Sequence, residues 1–212
     1  FLELEKNEDN KQFFADIEET VKGIFKEIQQ KGDIAVQKYT SLFDGSSSEN
    51  SLVSKEEIEE ATALVSDELK QAIEVAKNNI FKFHEAQKTK KIEVETTDGV
   101  FCWQEKRPIQ KVGLYIPGGS APLFSTVLML AIPAKIAGCA EIVLCSPPNK
   151  QGKINPAILY AANLCGVTKI FKVGGIQAIG AMTFGTETIP QVYKIFGPGN
   201  QFVTVAKQVA TQ

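Results

Sequence analysis

Four times between Val112 and Gln212 an apolar run rich in β-branched residues stops at a small-residue turn, and a helix-like segment begins. Val112-Gly-Leu-Tyr-Ile116 runs into Pro117-Gly-Gly-Ser-Ala121, and Glu141-Ile-Val-Leu-Cys145 into Ser146-Pro-Pro148. Lys169-Ile-Phe-Lys-Val173 leads to Gly174-Gly-Ile-Gln177, and Tyr193-Lys-Ile-Phe196 to Gly197-Pro-Gly-Asn200. Short apolar runs alternating with helical segments predict an α/β fold whose parallel strands are buried on both faces by crossover helices. All four turns then lie at one edge of the sheet, where helix N-termini offer unpaired N–H groups and partial positive charge. An anionic small ligand is expected there, most simply a nucleotide.

Composition narrows the class. The 212 residues, 43% hydrophobic, suffice for one large or two small cored domains. No run of about 18 apolar residues is present, and Phe1-Leu-Glu-Leu-Glu-Lys6 is too charged for a signal peptide, so a cytoplasmic protein is expected. Phe1 in place of an initiator Met points to a trimmed start. Cys102, Cys139, Cys145 and Cys165 lack C-x-x-C spacing and are read as reduced core residues.

The net charge of -2 conceals an asymmetry: residues 1–107 carry 15 basic and 23 acidic side chains, residues 108–212 carry 8 and 2. Lysine excess around a crevice would concentrate phosphate-bearing ligands. With Arg107 the single arginine and no basic stripe interleaved with aromatics, nucleic acid is not an expected partner.

The first part reads as helices. Phe13, Ile17, Val21, Ile24, Phe25 and Ile28 recur at helical spacing, and Lys31-Gly32 ends that helix. A second is expected from Asp33 to Phe43, followed by a loop at Gly45–Ser48. Ser54 with Glu57 forms a capping box for a third, within whose Glu56–Glu60 run a solvated face is expected. Ser66 caps a fourth, with Leu69, Ile73, Ala76, Ile80 and Phe83 as its buried stripe. Ile92–Thr96 and Val100–Glu105 flank Asp98-Gly99, a hairpin signal. A boundary is placed at Arg107-Pro108, giving a helical region with a short β-hairpin over 1–107 and an α/β domain over 108–212.

Catalytic signals are sparse. His84, the only histidine, falls on the apolar side of the fourth helix and reads as a packed or capping residue. One histidine and scattered cysteines do not make a zinc site. Gly118-Gly-Ser120 is not a nucleophile elbow. Gly197-Pro-Gly199 carries only the first two glycines of a dinucleotide fingerprint, and it reads equally as a tight strand-to-helix connection. Tyr115, Gln177 and Asn200, however, each fall at or just beyond a different strand's carboxyl end. A ring and two amides there can stack on or hydrogen-bond a nucleotide without titrating.

The stretch Val112–Leu130 closely resembles the signature of histidinol dehydrogenase. Further matches, in the family's order, are Ala137-Gly-Cys139, Leu144-Cys-Ser-Pro-Pro148, Val173-Gly-Gly175 with Gln177-Ala-Ile179, Phe184-Gly-Thr-Glu187 and Lys194-Ile-Phe-Gly-Pro-Gly-Asn200. Ser66–Lys70 and Asn79–Lys88 extend the likeness into the helical part, so it covers nearly the whole chain, as the N-terminal half of the family.

The resemblance implies an incomplete Rossmann-like parallel sheet and NAD contacts from Tyr115, Gln177 and Asn200. It implies a cytoplasmic, zinc-dependent homodimer that oxidises L-histidinol through an aldehyde to L-histidine, in histidine biosynthesis, with two NAD molecules in succession. The chain ends about halfway along the family's length. The zinc ligands, the Glu-His proton-transfer pair and the substrate-binding residues are expected beyond it, and no catalytic or metal-ligating residue is assigned here. Without base or metal, the chain alone is expected to be inactive, to bind NAD little and to self-associate. The alternatives are a non-catalytic nucleotide-binding or assembly module, and an unrelated phosphate-sugar enzyme using the same loops.

Overall fold

Side chains along a strand alternate between faces, so central strands that are apolar at every position demand a helical layer on each side of the sheet. The computed structural model describes residues 7–46, 50–119 and 121–212, with side chains from Phe14 onward. The helical part comprises α1 (Asn7–Lys31), α2 (Asp33–Asp44), α3 (Lys55–Leu64) and α4 (Asp67–Glu85). A hairpin follows, β1 (Ile92–Thr97) and β2 (Val100–Gln104). Strands and helices then alternate: β3 (Lys111–Tyr115), α5 (Phe124–Ala137), β4 (Glu141–Ser146), α6 (Pro156–Leu164), β5 (Lys169–Lys172), α7 (Gly175–Phe184), β6 (Lys194–Phe196) and α8 (Gln201–Val209).

The four late strands form one parallel sheet in the order β5-β4-β3-β6. From β3 the chain steps outward through β4 to β5, then returns to lay β6 on the opposite side of β3. The direction of winding thus reverses between β3 and β6.

Two apolar layers result. Val112, Leu114, Ile116, Ile142, Leu144 and Ile170 pack on one face with Val127, Leu128, Ile158 and Ile73. Tyr115, Val143, Cys145 and Phe171 pack on the other with Val21, Phe25, Ile28, Ile179 and Val203. Residues on both sides of Arg107-Pro108 therefore share both cores: α1 and α2 lie against α7, and α3 and α4 against α6 and α5. Gly180 permits the close approach of α1 to α7, since a Cβ there would stand 2.8 Å from Ile28 Cδ1.

Most of the helical expectations hold. Ile17, Val21, Ile24, Phe25 and Ile28 are buried, while the Phe13 side chain lies outside the described residues. Ser54 and Glu57 form the reciprocal box and Ser66 caps α4. The α4 stripe is shorter than expected: Ile73 is buried and Leu69, Ala76 and Ile80 are partly so, but Phe83 is exposed, its ring edge-on to His84. Pro122 biases its predecessor against helical backbone, and α5 begins only at Phe124.

Three strands are buried as expected, but β6 is exposed at Lys194 and Phe196, being short and at the sheet edge. The hairpin is exposed at every position. That placement corrects the reading of Cys102, which is exposed on β2, whereas Cys139, Cys145 and Cys165 are buried free thiols. At the β5 edge, Leu52 bridges Phe171, an addition that no strand pattern in the sequence announced.

The solvated Glu56–Glu60 face has one exception. Lys172, 7% exposed at the end of β5, donates to both Glu57 carboxylate oxygens at 2.9 and 3.2 Å. Burial alone would raise the Glu57 carboxyl, but the Ser54 amide and the Lys172 ammonium outweigh it and hold it below the usual range. One carboxylate thus anchors the start of α3 to the sheet. Lys172→Ala leaves that carboxylate half-buried without its cation, and urea unfolding is expected to show a loss of about 2 kcal/mol. Lys153→Ala, whose partner Glu60 is largely exposed, should leave the midpoint unmoved.

Candidate functional site

The reversal between β3 and β6 opens a crevice beyond the strand ends, the position at which doubly wound sheets accept ligands. A cavity of about 660 Å³ lies there, lined by Tyr115 at the end of β3, Pro117 and Gly118 after it, Pro147 after β4, Gly175 and Ile176 after β5, and Asn200 and Phe202 after β6. Thr20, Phe43 and Asp44 close it from α1 and α2. Its size falls within the roughly 300–1,000 Å³ usual for small-molecule sites.

Tyr115 and Asn200, far apart in the chain, reach this one cavity. Tyr115 is 4% exposed, and its hydroxyl oxygen accepts from the Gly175 amide at 3.1 Å. Burial pushes its phenol up to about 12, against the lowering effect of that amide, so it is a neutral ring with a polar tip. Asn200 is the N-cap of α8, its Oδ1 accepting from the Val203 amide at 3.1 Å, which leaves its NH₂ uncommitted by that cap. The turn before it depends on Gly197: φ is +137°, and a Cβ would collide with the Tyr115 carbonyl. That close approach holds the β6 turn against the end of β3.

Gln177 stands differently. It is fully buried in the first turn of α7, beneath Gly175 and Ile176 and outside the cavity lining. Its Nε2 donates to Asp44 Oδ2 at 3.1 Å, and its Oε1 has no hydrogen-bond partner. Among the three expected residues it touches the cavity only through its neighbours.

Asp44 was not singled out by motif, though the sequence does carry a signal for it. An acidic residue in the last turn of a helix opposes the helix dipole, and α2 has Asp44 there with no basic residue. In space it sits at the N-terminus of α7, where a negative charge is favoured. Burial pushes its carboxyl up to about 6, against the lowering effects of the Gly174 amide and the Gln177 side chain.

The lysine excess is not where the charge count placed it. No Lys or Arg is among the described residues lining the cavity, and Asp44 is its one charged side chain. Lys111 and Lys169 flank Glu141 at 3.6 and 2.9 Å, at the opposite end of the strands. Lys172 is engaged with Glu57, and Lys207 donates to the Gly197 carbonyl. Each of these four cations answers a structural acceptor.

Other candidates fall away or lie elsewhere. His84 is partly exposed in the last turn of α4, with Nδ1 2.9 Å from Gln87 Oε1. Ser120 lies outside the described residues, as do Ser47 and Ser48 of the expected loop. Among the described residues no three His, Cys, Asp or Glu side chains are grouped to hold a metal, and no helix is long and apolar enough to cross a membrane.

Comparison with known proteins gives a consistent answer. The model of the family described as histidinol dehydrogenase matches residues 7–212. A histidinol dehydrogenase from Bacteroides thetaiotaomicron is 60% identical over 193 residues, covering 91% of this chain and 45% of the relative. One from Escherichia coli O157:H7 is 56% identical over 196 residues, 92% of this chain and 44% of that protein. The crystal structure of histidinol dehydrogenase from Elizabethkingia anophelis superposes with a TM-score of 0.89 at 60% identity, over 91% of this chain and 45% of that one. The chain spans less than half the length of these relatives.

Two outcomes follow from the geometry. Gly197→Ala combines a strained φ with a backbone collision, so denaturant unfolding should show a loss of roughly 2–4 kcal/mol. The raised Asp44 carboxyl means that the folded chain holds its proton more tightly than the unfolded chain. Its contribution is therefore full at acid pH and is lost as pH rises toward about 6. Thermal midpoints of wild type relative to Asp44→Asn should accordingly fall between roughly pH 4 and 6 and level off above, and a flat difference would refute the assignment.

Proposed function

This chain belongs to the histidinol dehydrogenase family, and from that premise we propose that it supplies the NAD-binding side of an enzyme oxidising L-histidinol through the aldehyde to L-histidine. The observation that carries the reading is the cavity shared by Tyr115 and Asn200 at the winding reversal of a parallel sheet. NAD, when bound, supplies the ring that accepts a hydride. The chain's own residues bind and orient: the Tyr115 ring forms an apolar wall, the Asn200 amide offers a donor, and Gln177 braces the α7 terminus from below.

Zinc does not fit this segment. With His84 bonded to Gln87 and no grouped ligands among the described residues, no step through a metal is derived from it. The base that takes the hydroxyl proton, the metal and the L-histidinol contacts belong, in this reading, to the remainder of the family's length. So do the homodimer, the use of two NAD molecules in succession and the cytoplasmic setting.

The exposed hairpin, with Phe101 54% and Trp103 62% exposed, supports half of an enzyme over an autonomous binding module, since such rings favour cover. Light scattering should therefore show association rising with concentration. NMR titration of the chain with millimolar NAD should shift the amides around Tyr115, Gly175 and Asn200 weakly but saturably, and Tyr115→Ala should abolish the response. NADH production from L-histidinol by the chain alone would refute the division of labour, and unshifted amides would refute the coenzyme site.

A further inference from the structure

The α7 terminus is already spoken for. A helix N-terminus attracts a ligand phosphate because its first amides lack partners. Here the Gly174 amide is bound by Asp44, and the Gly175 amide donates to the Tyr115 hydroxyl at 3.1 Å. The anion position of this helix is thus filled by the protein's own carboxylate, delivered from α2 on the far side of the chain. Asp44 lines the cavity, with one oxygen accepting from Gln177 at 3.1 Å. An ionised carboxylate has about four acceptor positions, so acceptor capacity remains after the Gln177 and Gly174 bonds.

The surroundings reinforce that polarity. Gln177 Oε1 is also unpartnered, but it is buried behind Gly175 and outside the cavity lining, so the acceptor that a ligand meets at this end is the Asp44 carboxylate. No Lys or Arg among the described lining residues offsets the carboxylate. Phosphate is repelled from this end of the cavity, and groups bearing O–H or N–H are favoured. The α8 terminus is the contrasting end: Asn200 and Phe202 line the cavity there without a charge, and Asn200 uses its Oδ1 on the Val203 amide while its NH₂ is left for a ligand.

Resting on the NAD reading, we propose that Asp44 is a specificity-determining residue, taking a hydroxyl or amide donor of the bound nucleotide and excluding its phosphates from the α7 terminus. The cavity then has a fixed direction: donor-bearing group toward Asp44, pyrophosphate toward the β6–α8 turn.

Two probes, NAD and inorganic pyrophosphate, separate recognition from mere support. They are titrated by NMR into the wild-type chain and into Asp44→Ala and Asp44→Asn, each first checked for wild-type-like amide dispersion. Asp44→Ala should weaken NAD by at least about fivefold and tighten pyrophosphate by a similar factor, because the Gly174 amide is released while a negative charge is removed. Asp44→Asn, which keeps an oxygen for Gln177, should move both in the same directions by less. NAD affinity within twofold of wild type in both variants, or a parallel loss of both ligands, overturns the proposal and leaves the coenzyme reading standing. Absence of saturable NAD shifts in the wild-type chain overturns the coenzyme reading itself, and the role of Asp44 with it.

Discussion

The parallel pairing of β6 with β3 is the constraint on which the rest depends. Val112, Gly113 and Leu114 pair with Lys194, Ile195 and Phe196, so the chain returns across the sheet and winds the other way. The helix after β3 covers one face, while α8 covers the opposite one. Their starts diverge, and the strand ends between them are left open. Gly113 contributes to the same join: a Cβ there would meet the Met182 sulfur at 2.7 Å and Val192 at 3.0 Å, so the strand admits no side chain on that face. Gly197 then seats its turn against the Tyr115 carbonyl. The cavity is a product of connectivity, and its walls are the turns connectivity leaves uncovered.

The sheet was legible because parallel strands are apolar along their whole length, and small-residue turns mark each end. The first four helices were legible from caps and stripes, Ser54 with Glu57 being the clearest case. Their location was not. A helix stripe states that a face is buried without naming what buries it, and only in three dimensions does Ile28 meet α7 or Ile73 the opposite layer. The bridge at Leu52 was invisible for the same reason, since a single antiparallel pair leaves no period to detect.

The cavity lining divides along similar lines. Tyr115 and Asn200 meet in it because strand ends converge in this topology whatever the loops contain. Gln177 obeyed the same rule in sequence, but the first turn of a helix turns some side chains toward the ligand edge and others toward the core. Its side chain went inward to Asp44. Thr20, Phe43 and Asp44 come from helices outside the alternating pattern, so no strand-end rule reaches them.

Charge was the least transferable inference, and the reason is physical. Eight lysines against two acids in residues 108–212 describe a segment, whereas a field belongs to a surface built from both segments. The acid-rich helices fold against the lysine-rich sheet, and pairs such as Lys172 with Glu57 cancel the excess across the join. What remains at the cavity, among the described residues, is the Asp44 carboxylate that the fold carries there. Because Asp44 gains from the α7 dipole and from two donors, the ionised form persists at neutral pH despite burial. A site whose helix terminus is answered from within selects ligands by the donors they offer as much as by the phosphates they carry.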